Sequence, residues 1–205
     1  MSANRNKEIE VKFYIEDLGA LEARLIALKA ECVQARTHEY NLRFDTPDEV
    51  LKQKLHLLRL RQDNHTTLTF KGRSDAAQGV LDRVEIEVEI SDFETTRQLL
   101  EALGYGVTFI YEKYRAMYAL DQYLVTLDET PLGNFAEIEG PDAKTLQDAA
   151  RLLELNWDVR ALQNYSDLFK RAKAALDIDY RDLTFENLAG ITIAPGDLGV
   201  IAADG

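Results

Sequence analysis

A single cysteine, Cys32, stands in the 205 residues. It has no partner for an internal disulfide and none for a thiolate metal site, so its expected role is that of a small core residue. No run approaches the roughly 18 apolar residues of a membrane helix. The start of the chain, Met1-Ser2-Ala3-Asn4-Arg5-Asn6-Lys7, has no apolar segment of signal-peptide type. Neither a membrane span nor export is expected, and the cytoplasm is the default location. Positive charge is also short: 24 Lys and Arg against 36 Asp and Glu give a net charge of -12. That balance argues against a surface for a nucleic-acid duplex. A compact anion met by a local set of Lys and Arg, or through a divalent metal, is compatible with it. Neither a Walker-type loop nor a GxGxxG loop is present, so phosphate binding at a helix N-terminus is not indicated. His38, His56 and His65 lack metal-site spacing and read as strand or turn residues.

What the chain does have is alternation. In Glu8-Ile9-Glu10-Val11-Lys12, the residues Glu8, Glu10 and Lys12 share one strand face, and Ile9, Val11, Phe13 and Ile15 take the other. The triplet Glu-Ile-Glu recurs at Glu85-Ile86-Glu87 and Glu137-Ile138-Glu139. Helices are expected from the cap at Asp17, over residues 48–53, from Ser91-Asp92-Phe93-Glu94 to about Leu103, from Asp142 to Leu155, and over 162–175. Strands are expected over 31–44, 55–61, 66–71, 83–90, 107–118, 122–128 and 135–139, with a flexible loop over 72–80. The composition, 46% hydrophobic and 29% charged, suits one folded domain over 1–175. Residues 176–205 read as an extended or partly disordered tail.

On at least five strands one face carries charges of both signs while the other is apolar. Amphipathic helices need apolar sheet surface, so they are expected to cover the outside and leave the charged faces turned toward one another. An α+β fold follows, a closed eight-stranded antiparallel barrel with a charged lumen and helices packed outside.

Glu8-x-Glu10-x-Lys12, Leu58-Arg59-x-Arg61, Thr69-x-Lys71, Glu85-x-Glu87, Lys113-x-Arg115, Leu127-Asp128 and Glu137-x-Glu139 stand in an order and approximate spacing that resemble the CYTH proteins, also called triphosphate tunnel metalloenzymes. The resemblance runs over roughly residues 8–170. It implies a tunnel whose basic residues grip a triphosphate and whose acids hold Mg²⁺ or Mn²⁺. By resemblance, Lys12, Arg59, Arg61, Lys71, Lys113 and Arg115 bind substrate, and Glu8, Glu10, Asp128, Glu137 and Glu139 are metal ligands. Lys12, Glu85, Glu87 and Asp128 are the implied catalytic set, orienting a phosphate, an attacking water or the neighbouring acids.

The residue types suit that chemistry. Six cations offset the about four negative charges of a triphosphate, with Arg as a bidentate fork and Lys as a point charge. Carboxylates are appropriate hard ligands for Mg²⁺ or Mn²⁺. The resemblance implies a triphosphatase acting on tripolyphosphate, thiamine triphosphate or another triphosphorylated small molecule such as ATP. Its alternatives are an adenylate cyclase and a non-catalytic polyphosphate or nucleotide binder. Class IV cyclases carry a His-Phe pair shortly before the first acidic strand, where this chain has Ala3-Asn4-Arg5-Asn6-Lys7. The triphosphatase therefore ranks first. Oligomeric state is not readable.

Overall fold

The computed structural model describes residues 7–72, 75–77 and 80–205, with side chains described for 9–72 and 84–205. Nine antiparallel strands are present among them: β1 (Lys7–Ile15), β2 (Glu31–Asp45), β3 (Leu57–Gln62), β4 (Thr66–Lys71), β5 (Asp75–Ala77), β6 (Val80–Ile90), β7 (Gly106–Leu120), β8 (Tyr123–Thr130) and β9 (Gly133–Glu139). They hydrogen-bond in the order β1-β9-β8-β7-β2-β3-β4-β6-β5. Eight are the expected strands. The short β5 falls inside the expected 72–80 loop, much of which lies outside the described residues.

The helices cap where the sequence places short acceptors. α1 (Leu18–Ala27) starts on Asp17, whose carboxylate accepts from the Ala20 amide; α3 (Phe93–Ala102) starts on Asp92 and α4 (Ala143–Leu152) on Asp142. α2 (Val50–Gln53) is a single turn, and α5 (Tyr165–Leu176) starts on Asn164. α1 and α4 cover the apolar face of β1, β9 and β8, so that Leu21, Leu25, Leu146 and Leu153 pack against Phe13, Ile15, Val125 and Ile138. Complete burial of one such side chain contributes about 1.5–3 kcal/mol. α3 covers the β2–β3 side through Leu100, Leu42, Phe44 and Leu60.

Coverage is incomplete, against expectation. Val84, Ile86 and Val88, the outward residues of β6, stay 49%, 53% and 56% exposed because no helix lies over that strand. Cys32 is a further correction: it sits exposed near the start of β2, in a stretch, 31–38, where no residue is buried.

The two sides of β1 differ. One side pairs with β9 from Glu10 to Ile15. The other meets β6 only at Lys7–Glu10, since β6 begins at Val80 and β1 outruns it. Beyond that point, Ala161 and Ala203 donate to the carbonyls of Lys12 and Tyr14 at 2.7 and 2.9 Å. β7 has a similar gap: β8 pairs with it only from Tyr114 to Leu120, and Leu183 exchanges backbone bonds with Ile110 and Glu112. The α+β class and the antiparallel sheet hold. Strand pairing alone does not close the expected barrel along its whole length.

α5 and residues 176–205 occupy the opening. The latter segment is irregular, with turns over 185–190 and the short α6 (Pro195–Leu198), and it packs down firmly. Leu183, Leu188, Leu198 and Val200 join Tyr14, Phe135, Leu168 and Phe169 in a second core cluster. The Asp204 carboxylate also accepts from the Glu16 and Asp17 amides at 2.9 Å. Replacing wholly buried Leu198 by Ala is therefore expected to cost about 2–5 kcal/mol in denaturant unfolding, while the same change at Ile201, 65% exposed, stays within about 0.5 kcal/mol. An equal, small effect at both positions would show that the segment does not contribute to the core.

Candidate functional site

The inward faces of the strands enclose a cavity of about 920 Å³, lined by residues from all eight long strands, the β2–β3 connection and the start of α5. Alternation puts the polar residues there, and the antiparallel register sets opposite charges across from each other. Lys12 faces Glu137, Glu39 faces Lys113, Arg115 faces Asp128 and Lys71 faces Glu85. Opposite charges at such positions lie within side-chain reach.

The inner group is a closed ion-pair network. Arg115 donates to both Asp128 oxygens, each at 2.6 Å, and to Glu137 Oε2 at 2.6 Å. Lys12 Nζ lies 3.1 Å from Glu137 Oε1. Lys113 Nζ is 3.0 Å from Asp128 and 3.4 Å from Glu39. Tyr165, at the first position of α5, donates its hydroxyl to Asp128 Oδ2 at 2.7 Å, and the Lys12 ammonium sits 4.0 Å from its ring centroid. Three acids thus balance three cations.

Burial pushes the Glu137 carboxyl up, but Lys12, Arg115 and Lys113 outweigh it and hold the group well below the usual carboxylate range. The same contest at Glu39, settled chiefly by Lys113 and Arg115, brings it down to about 2. Burial lowers the Arg115 pKa, yet Asp128, Glu39 and Glu137 raise it well above its ordinary value. Burial and then Asp128 raise Tyr165, which keeps its proton to donate.

The outer group is looser. Arg59 and Arg61 approach Glu87 at 3.7 and 3.5 Å. Thr69 takes a bond from Arg59 at 3.2 Å and gives one to Glu87 at 2.7 Å, and Arg59 also reaches the Tyr111 hydroxyl at 3.4 Å. Lys71 and Glu85 pair at 2.7 Å. Several buried polar atoms here have no hydrogen-bond partner among the described residues: both amide atoms of Asn41, Nε of Arg59 and Oγ1 of Thr67. Groups of this kind are usually satisfied by water or ligand.

Glu10 and Glu139 stand directly across β1 and β9 from each other, and both line the cavity. Among the described residues no group of three His, Cys, Asp or Glu side chains forms a metal cage. The opposed pair with Glu137 one alternation further along β9 still offers hard oxygen donors. Mg²⁺ commonly takes only one or two carboxylates and completes its shell with water and phosphate oxygens. Glu8 lies on β1, with its side chain outside the described residues. The other sequence-predicted residues come together around this cavity. Asp128 is wholly buried behind Lys113 and Arg115, and it is committed to them.

Glu39, Arg43, Tyr111 and Tyr165 join the site without having been singled out in the sequence. The first two were within reach, because Glu39-Tyr40-Asn41-Leu42-Arg43-Phe44-Asp45 alternates polar and apolar residues as β1 does. Tyr111 and Tyr165 gave no such signal, as aromatics on a strand and on an amphipathic helix read equally well as core. Of the histidines, His56 lines the cavity mouth, while His38 and His65 pair outside with Glu112 and Glu89.

Known proteins share this architecture. Residues 6–163 match the family model of the CYTH domain. Adenylate cyclase CyaB of Aeromonas hydrophila is 30% identical over 134 residues, covering 64% of this chain and 67% of that protein. A crystal structure from Vibrio parahaemolyticus superposes with a TM-score of 0.73 at 20% identity, covering 82% of this chain and 99% of the other. HpAC1 from Hippeastrum, a protein with a dominant triphosphatase activity, superposes at 0.57 with 19% identity over 80% and 95% of the two chains. With its acid–base pairs set across an antiparallel sheet and a family match over most of its length, the chain belongs to the CYTH domain family.

Proposed function

We propose that the chain is a divalent-metal-dependent triphosphatase that holds tripolyphosphate, or a small molecule carrying a triphosphate, in a tunnel bounded by its eight long strands. The observation that carries this reading is the cavity of about 920 Å³ in which six cations and a set of carboxylates converge in a chain of net charge -12. An anion binder alone has no evident need for so many inward carboxylates.

The exposure of the paired acids ranks the cations, Glu87 standing far more open than Glu137 or Asp128. Arg59 and Arg61 hold Glu87 only at 3.7 and 3.5 Å, and the Glu87 side chain is 37% exposed, so phosphate oxygens displace it at small cost. Their planar forks then bind bidentately, with Lys71 adding a point charge. Lys12, Lys113 and Arg115 belong to the largely buried inner network and chiefly supply positive field, while Arg115 keeps Asp128 and Glu137 in place. Glu10, Glu139 and Glu137, with Glu8 on the same strand, would hold Mg²⁺ or Mn²⁺, which when bound polarises phosphate oxygens and lowers the pKa of an attacking water. Glu85 and Glu87 lie on β6, the strand beside β1, where they orient water or the leaving phosphate. Asp128 acts through Arg115 and Lys113.

A second reading, adenylate cyclase, draws support from the name of the 30%-identical Aeromonas relative. The same cations would hold ATP, the ribose 3′-hydroxyl would attack, and pyrophosphate would leave.

Products decide between the two readings. Purified protein given Mg²⁺ or Mn²⁺ with tripolyphosphate and ATP in parallel is expected to release phosphate from tripolyphosphate and to form little cyclic AMP. Cyclic AMP with pyrophosphate from ATP would install the cyclase instead. The Glu139→Gln change, alone and with Glu137→Gln, is expected to lower metal-dependent turnover by about 100-fold or more with the circular dichroism spectrum retained. Undiminished turnover in a folded double variant would remove both residues from the mechanism.

Stability should follow the depressed carboxylates. Folded-state pKa values below the unfolded ones stabilise the protein above the ordinary glutamate value of 4.5, and for Glu39 this is lost as pH falls toward about 2. The loss attributable to Glu39 is on the order of 3 kcal/mol. Urea unfolding at about pH 6 and about pH 3 should show roughly 2 kcal/mol of it, and Glu39→Gln should flatten that dependence. An unchanged slope in the variant would mean that Glu39 is not held ionised by its neighbours.

A further inference from the structure

The six cations named from the sequence all sit against carboxylates. A seventh does not. Arg43, on β2, lines the cavity, yet among the described residues no carboxylate lies within ion-pair distance of it and its guanidinium makes no hydrogen bond. The acids whose fields reach it are committed elsewhere. Asp45 accepts from the amides of Thr46, Leu51 and Lys52 at 2.8 to 2.9 Å. Asp167 accepts from Lys170 at 2.7 Å and from the Asn164 amide group at 2.8 Å.

Across the strands Arg43 is register partner to Arg59 on one side and Phe109 on the other. Phe109 stacks on Tyr111 with centroids 5.7 Å apart, and the guanidinium carbon of Arg43 lies 5.9 Å from the Phe109 centroid. Two guanidinium groups therefore face each other over one rung of the sheet, a destabilising placement unless an anion lies between them. Burial also lowers the Arg43 pKa by more than the fields of Tyr111, Asp167 and Asp45 raise it, the sign of a cation whose desolvation the protein only partly offsets.

We propose that Arg43 is a substrate-binding residue that, with Arg59, grips the end of the phosphate chain nearest the cavity mouth at Phe109 and Lys52. This rests on the triphosphate reading of the same cavity and extends it by one subsite. The other six cations must exchange a carboxylate for phosphate. Arg43 has none to exchange, so it makes the contact that the unliganded protein leaves unmade.

Tripolyphosphate titrated calorimetrically into the protein in excess EDTA tests this without turnover. Arg43→Gln should weaken binding about 10- to 100-fold, the loss expected for charge-assisted hydrogen bonds, and Arg43→Lys should recover part of it as a point charge. Arg36→Gln, which removes a cation paired with Glu129 on the outside, should stay within about twofold of the parent protein because it shares only the change in net charge. Without ligand, Arg43→Gln should melt no lower than the parent, since it removes an uncompensated charge. Parent-like binding by Arg43→Gln, or a fall in its unliganded melting temperature matching the loss of affinity, would overturn the proposal and leave the triphosphate reading standing. Absence of binding by the parent protein in EDTA would overturn the proposal, and absence in Mg²⁺ as well would overturn both.

Discussion

Opposition of acid and base across antiparallel strands, inside a cavity, is the constraint on which this structure depends. Each inward charge is costly to desolvate, and a buried pair seldom gains more from its attraction than it loses in hydration. The network around Arg115 is therefore poorly explained as a stabilising device. What it does is hold carboxylates and cations side by side in fixed register across the strands. Removing one member leaves a charge uncompensated, so the six inner groups behave as one unit.

That unit reaches beyond the strands. Tyr165 brings α5 into the network through Asp128 and Lys12. α5 holds its place because the segment after it lies over the opening between β1 and β7, where strand pairing runs out. Residues far from the motif strands therefore carry part of the site's geometry. Phe135 shows the coupling, as its ring meets both Tyr14 of β1 and Tyr165 of α5 edge-on.

Much of this was legible in the sequence. Period-two alternation located the strands and their charged faces, and capping aspartates located α1, α3 and α4. Two kinds of feature were not legible. Which outward strand face a helix covers depends on helix placement, and so the apolar face of β6 reads as core while standing exposed. Residues 176–205 lack periodicity because they bury single side chains between backbone bridges to β1 and β7 instead of presenting a stripe. Within the site, the alternation of β2 carried Glu39 and Arg43, but only the paired strands reveal that one is ringed by cations and the other is not.

The arrangement around β1 also bears on the order in which the molecule can assemble. The first strand finds its partners in β9, Ala161 and Ala203, all late in the chain, so its contacts have very large sequence separation. Such contacts close long loops before they gain anything, which makes folding slow. The β1 charges thus meet their partners on β9 only through contacts that span most of the chain.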